Sequence, residues 1–414
     1  MIKKIVSTIL AVVAVSSACI TATANDINKY DLNSDGVFDI QDVTYLQIGI
    51  ANGDKLDSKA DFDLSGNIDI NDVTTAQHYI YKVNSITPEF NLLSNSKSKL
   101  NLKSDYSSVE KEYPNNAYHP KVIDMGEKWN GYRFWLSYTP YPKGNDKYEN
   151  PHIVASNDLI NFSEVKFNHG MPKNYKAGVR FNSDSELVYN PDKNRLELFW
   201  RYTDYEANYM ALYMRYSYDG DKWSDATVAY ETNNRKKYDM VSPAIVYENG
   251  TYKLWYVSGY KVWYREWENN AWTESVVTSM SYPATTYTWH IDVEKINGKY
   301  ELLACSTTNK SDRKHMNLYY TTSTDGYSWN EAEVVLKPSA DSSAWDGGGL
   351  YRSAFIYTSG NYIVLYSGRN DSGDFGTGLV FGESMRNLKG TDLDFIGDSQ
   401  SSAKKLWKYI NKDF

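Results

Sequence analysis

The sequence predicts a mainly β fold: a five-bladed β-propeller preceded by a small α-helical module. Three observations carry this. Between residues 118 and 390 one unit returns five times, at intervals of roughly 50–60 residues: an apolar strand, a tight Gly or Asn turn, then a strand alternating with Tyr or Trp. Later in several units comes Ser-x-Asp-Gly-x-x-Trp, as Ser217-Tyr-Asp-Gly-Asp-Lys-Trp223 and Ser323-Thr-Asp-Gly-Tyr-Ser-Trp329, with a decayed copy at Ser156-Asn-Asp-Leu-Ile-Asn-Phe162. The 37 Tyr and 12 Trp suit pleated strands packed through aromatic rings. A closed ring explains the even spacing better than an elongated sandwich array, because it leaves few open strand edges. A chain of 414 residues is also long enough for two domains.

Taken in order, residues 1–24 read as a secretion signal. Lys3 and Lys4 charge the start, residues 5–15 are an apolar run too short to span a membrane, and Ala22-Thr-Ala24 supplies small residues for cleavage. Cleavage there leaves Asn25 first. Lipidation at Cys19 is the alternative, with Ser16-Ser17-Ala18 a poor match for that signal. No other stretch is apolar enough to cross a membrane. Once the signal is removed only Cys305 remains, so folding proceeds without a disulfide. With a net charge of −8 and no long basic run, nucleic acid is not an expected partner.

Residues 31–42 and 61–72 form two twelve-residue loops with oxygen side chains at positions 1, 3, 5, 9 and 12 and glycine at 6. A hard cation such as calcium needs about six to eight oxygens on a tightly wound loop. The expected ligands are Asp31, Asn33, Asp35, Asp39 and Asp42 with the Val37 carbonyl, then Asp61, Asp63, Ser65, Asp69 and Asp72 with the Asn67 carbonyl: two Ca2+ sites. Position 12 is Asp, where an ordinary EF-hand has Glu. Each loop runs into one apolar-periodic helix, and no strong helix precedes it. This duplicated loop–helix over residues 26–83 resembles a type I dockerin. The resemblance implies a cohesin module of a scaffoldin as partner, and a cell-surface-associated, cellulosome-type complex acting on plant or dietary polysaccharide. Ile40-Gln41 and Ile70-Asn71 occupy the loop positions that resemble dockerin recognition residues.

A polar Ser/Asn-rich stretch then predicts a linker and approach segment over 84–113. The propeller is expected over 114–398. A helix over 399–414, with Leu406, Tyr409 and Ile410 at helical spacing, is expected on its outside.

In a propeller the first strand of each blade lines a central funnel. Just ahead of these strands stand His119-Pro120, Asp184-Ser-Glu186, Asp239-Met-Val-Ser242-Pro243, Trp289-His-Ile-Asp292 and Tyr351-Arg352-Ser353. Every blade supplies an ionisable or hydroxyl group at nearly the same point. An unpaired charge in a buried funnel is costly, so the convergence predicts a functional site.

The arrangement over roughly 118–390 resembles the five-bladed glycoside hydrolases of family 43 and its relatives, families 32, 62, 68 and 117. Family 43 enzymes carry a base Asp in an Asp-Pro pair, a second Asp that tunes the acid, and an acid Glu before Gly-Pro. Here the first position reads His119-Pro120 and the third reads Val241-Ser242-Pro243; only Asp184 matches. The resemblance therefore implies a monomeric, sugar-directed enzyme without transferring the family's catalytic set.

The residues allow an inverting hydrolysis, which needs an acid and a base about 6.5–9.5 Å apart. Asp184 or Asp239 would activate water and His290 or His119 would donate the proton, with Glu186 a further catalytic candidate. Arg352 would bind a carboxylate or hydroxyl of the sugar, and Asp292 would line the site or brace the funnel. Tyr141 and Tyr148, on an insertion after the first hairpin, and Trp289 would stack on sugar rings, or pack loops against the rim. No phosphate loop, zinc-spaced Cys/His set or Gly-x-Ser-x-Gly elbow is present. Alternatives to a glycoside hydrolase on polysaccharide or oligosaccharide are a non-catalytic sugar-binding propeller, or a lyase if His290, Tyr287 and Arg352 meet a uronate.

Overall fold

The computed structural model describes residues 31–34, 40–63, 65–84 and 99–411, with only the backbone at 78–84. The expected signal at 1–24, the loop ligands Asp35, Val37 and Asp39, and residues 85–98 of the expected linker lie outside the described residues. The chain divides into two compact units, residues 1–88 and 89–414.

In the first unit, helices Ile40–Asn52 and Ile70–Asn84 pack through Val43, Leu46, Val73 and Ala76, with Ala60 between them. Each helix carries the last residue of its loop, Asp42 or Asp72, fully buried in the first turn. Both carboxylates fold back on their loops. Asp42 Oδ1 accepts from Leu32 N at 2.7 Å, and Asp72 accepts from Asp69 N at 2.7 Å and Asp63 N at 3.2 Å. In the second loop Asp61 accepts from the amides of Ser65 and Gly66, and Gly66 takes φ +83°, a conformation open to glycine.

The second unit is the expected five-bladed β-propeller. Its inner strands are Ala117–Trp129, Arg180–Asn190, Val241–Glu248, Tyr287–Ile296 and Ala354–Thr358, and each packs on the next until the fifth meets the first. Each continues through a tight turn into an antiparallel second strand. The turn residues Asn130-Gly131, Asn249-Gly250, Asn297-Gly298 and Ser359-Gly360 all have positive φ, the geometry of a two-residue hairpin whose twist matches its strands.

The Ser-x-Asp-Gly-x-x-Trp segments close the outer hairpins. Asp219 Oδ1 accepts from the amides of Asp221 and Lys222, and Asp325 Oδ1 from those of Tyr327 and Ser328. The decayed copy keeps the geometry, with Leu159 at φ +61° where the others have glycine. Glycine is needed elsewhere for space as well as φ. A Cβ on Gly220 would lie 2.0 Å from the Trp135 ring, and one on Gly326 would lie 2.8 Å from Trp255. These tryptophans anchor the seams between blades 1 and 2 and between blades 3 and 4.

Of the expected linker and approach segment over 84–113, residues 99–113 are described. Lys99 already pairs with Gly378 on the outer strand of blade 5, Lys99 Nζ meets Asp374 at 2.6 Å, and Leu100 and Leu102 are buried. Apolar side chains amid the polar stretch drive this early docking, and a short helix, Ser107–Glu112, follows. At the other end, helix Ser399–Asn411 buries Leu406 and Ile410; Trp407 stacks on Phe134 of blade 1, and Asn361 of blade 5 donates to Ile410 O. Both ends of the propeller chain thus fasten its closing seam. Gly220→Ala is expected to lower stability by about 2 kcal/mol or more through left-handed strain and overpacking on Trp135, read by denaturant unfolding.

Candidate functional site

Each of the first four inner strands carries an irregularity in its pairing where the sequence places polar residues. The register shifts fall between Tyr118 and Lys121, between Ser183 and Glu186, opposite Trp255–Val257 in blade 3, and between Thr288 and His290. In blade 5 the strand breaks at 351–353. His119, Asp184 and Ser242 stand at these points with φ of +52°, +50° and +54°. Holding non-glycine residues there costs on the order of 1–2 kcal/mol each, a strain that recurs at functional sites.

The result is a buried cluster. His119, Asp184 and His290, from blades 1, 2 and 4, each bring a ligand atom within 4.8 Å of the other two. Asp184 Oδ1 lies 3.4 Å from His290 Nδ1, too poorly aligned for a hydrogen bond, so Asp184 Oδ1 and both His290 ring nitrogens are buried without partners. His119 Nδ1 is 2.8 Å from Thr139 Oγ1 and 3.5 Å from Glu149 Oε1. Tyr351 packs its ring 4.4 Å from His290 and 5.3 Å from His119.

The electrostatics separate these groups. Burial lowers both histidines, His119 well below its usual value, while the neighbouring Asp184 works against burial at His290. Burial works to raise the Asp184 carboxyl, but His290 and Arg201 outweigh it and keep Asp184 far below the ordinary range. Glu149 goes the other way, pushed well up by burial and by repulsion from Asp184.

The other expected site residues are placed differently. Asp239 pairs with Arg201 at 2.7 Å and Arg235 at 2.7 Å; Arg201 also reaches Asp184 at 3.6 Å. Glu186, Asp292 and Arg352 do not face a substrate. Glu186 and Asp292 lie two residues past Asp184 and His290, where their carboxylates meet neighbouring blades. Lys121 contacts Asp292 at 2.6 Å, Glu294 at 2.7 Å and Glu186 at 3.2 Å. Arg352, 1% exposed, donates to Ser185 O, Glu186 Oε2 and Pro243 O. Its two terminal nitrogens are bonded within the protein and its Nε is buried, which speaks against the expected sugar contact. Ser242 is a staple between blades 3 and 4, its Oγ donating to Ile291 O and accepting from Ile291 N.

Of the aromatics, Tyr141 stacks on Tyr118 and lies 5.5 Å from His119, and Trp289 lies 5.8 Å from His290 with its Nε1 donating to Tyr351 Oη. Tyr148 packs on Tyr106 and Lys147. Tyr287 packs on Tyr260, on the rim with Trp289. Sequence reasoning missed Glu149, Arg201 and Lys121. Glu149 had one usable signal, an acid closing the long insertion in Tyr148-Glu-Asn-Pro.

No protein-family model matches this chain. It is 27% identical over 325 residues to the A type blood N-acetyl-alpha-D-galactosamine deacetylase of Flavonifractor plautii, a match over 64% of this chain and 42% of that protein. The chain thus spans less than half the length of this curated relative. The crystal structure of an N-acetylgalactosamine deacetylase from F. plautii, in complex with blood group B trisaccharide, superposes with a TM-score of 0.60 at 22% identity, over 74% of this chain and 97% of that one. An exo-1,5-alpha-L-arabinanase from a bovine ruminal metagenomic library aligns more loosely, with a TM-score of 0.47 at 11% identity over 65% and 93% of the two chains. The chain has a carbohydrate-active homologue. The propeller is the shared fold.

Lys121→Met would leave Asp292 buried without its cation and Glu186 with one fewer. A loss of about 3–5 kcal/mol is expected in chemical denaturation, the cost of breaking a buried ion pair by removing one partner.

Proposed function

We propose that the propeller is a carbohydrate-active hydrolase that removes an acyl group from a sugar, with N-acetylhexosamines as substrate class. The observation that carries this reading is the convergence of His119, Asp184 and His290, in which Asp184 Oδ1 and both His290 ring nitrogens are buried without a hydrogen-bond partner. Two imidazoles and an ionised carboxylate are a donor set that divalent zinc, iron or manganese accepts. Such an ion, when bound, would polarise an amide carbonyl and acidify water. Glu149, beside His119 and pushed up by burial, would donate a proton to the leaving nitrogen. Tyr141 and Trp289 at the rim offer faces for the sugar ring. The named activity of the F. plautii relative supports the same direction.

A second reading, cleavage of a glycosidic bond, draws on the opposite shifts of Asp184 and Glu149, the pattern of a carboxylate working against a protonated carboxyl. It gives the unpartnered His290 no task. Acetate and reducing-sugar assays on N-acetylgalactosamine-terminated oligosaccharides separate the two. Acetate release is expected, falling at least ~100-fold in Asp184→Asn and after dialysis against a chelator, with recovery on adding zinc or manganese. Reducing sugar without acetate would establish the second reading; acetate release indifferent to both treatments would reject the first.

The N-terminal unit is proposed as a dockerin that binds two calcium ions and a cohesin module, in a secreted protein. Support comes from the two buried position-12 carboxylates, from Asp61, Asp63 and Asp72 with carboxylate oxygens within 4.8 Å of one another, and from Ile40 and Ile70, 56% and 63% exposed on matching turns. Calorimetry is expected to show two calcium ions per chain, one of them lost in Asp72→Ala, and cohesin capture abolished by a calcium chelator.

A further inference from the structure

A cavity of about 420 Å³ lies beside the cluster and has no part in the chemistry above. Its volume falls within the roughly 300–1,000 Å³ of small-molecule sites. Trp200, Tyr202 and Tyr213 of blade 2 line it together with His169, Asn174 and Asp204. Trp200 stacks on Tyr213 with centroids 5.6 Å apart, and His169 closes on Trp200 at 4.2 Å. Behind these faces Trp200 Nε1, on a side chain only 1% exposed, and His169 Nδ1 are buried without hydrogen-bond partners.

Aromatic faces edged by amide and carboxylate groups suit a pyranose, which offers an apolar C–H face and a rim of hydroxyls. The charges narrow the class. Asp204 is the lining carboxylate, and its Oδ1 accepts from Ala207 N. Burial pushes His169 down to about 4, with Arg215 adding to the effect, so no cation faces the cavity from that side. Nearby Arg180 is engaged by Asn174 O and Glu206, and Arg215 by Ser224 O. An acidic sugar would therefore meet a carboxylate with no free counter-charge. A partition separates the cavity from the cluster. Asn182, two residues before Asp184, donates from Nδ2 to Asn150 Oδ1 at 2.9 Å and to Gly170 O at 3.3 Å, and Asn150 follows Glu149.

We propose that this cavity is a second saccharide pocket that holds one neutral hexose or N-acetylhexosamine ring. The proposal rests on the carbohydrate reading of the propeller and not on the reaction at His119, Asp184 and His290.

The test is saturation-transfer NMR and titration of the full chain with galactose, N-acetylgalactosamine and glucuronate. Galactose or N-acetylgalactosamine is expected to bind at least tenfold more tightly than glucuronate. That binding should persist in Asp184→Asn, weaken at least fivefold in Asn174→Ala and Tyr213→Ala, and be retained in Tyr213→Phe, which keeps the ring and controls for folding. Loss of binding in Asp184→Asn would place the sugar at the cluster instead. Unchanged binding in both Asn174→Ala and Tyr213→Ala, equal binding of glucuronate, or no binding of either neutral sugar would overturn the proposal.

Discussion

The structure depends on one buried ion network at the propeller axis. Lys121 of blade 1 reaches Glu186 of blade 2 and Asp292 of blade 4, while Arg352 of blade 5 reaches Glu186 and the carbonyl of Pro243 in blade 3. All five blades are tied in one set of contacts. The two carboxylates also accept backbone amides of the next blade, Ile245 N and Phe355 N. Charges this deep are tolerable because each is paired and hydrogen-bonded. With those charges satisfied, Asp184 Oδ1 and both His290 ring nitrogens, at the pairing irregularities, are left without a hydrogen-bond partner.

This division of labour decides what the sequence could and could not reveal. The hairpins were legible because a period of two, interrupted by Asn-Gly, has almost no other reading. The Asp-Gly closures were legible for the same local reason, down to the copy in which Leu159 replaces glycine. The polar residues at the blade starts were also visible as a set. Their sorting into a mouth tier and an axial tier was not, because a bulge resets which side chain faces where. Asp184 and Glu186, two residues apart, look equivalent in sequence and do opposite work. Lys121 was missed because its partners lie on other blades, and Glu149 because its neighbour His119 lies on the inner strand of the same blade. Leu100 and Leu102 pulled the propeller boundary forward for a comparable reason: burial against a strand hundreds of residues later leaves no local mark.

A propeller by itself constrains chemistry little. The ring supplies a rigid axis and a circle of positions. What happens at the mouth follows from which residue each blade presents there. Here blade 1 offers His119, and blade 3 offers a serine committed to bonding Ile291.

The attachment at Lys99 has a mechanical meaning. Tension carried along the polypeptide enters the second unit here, at a point held by one bridge to blade 5, by the Lys99–Asp374 ion pair and by two buried leucines. A pull along the chain would therefore be borne by the seam that shuts the ring before it reached the funnel.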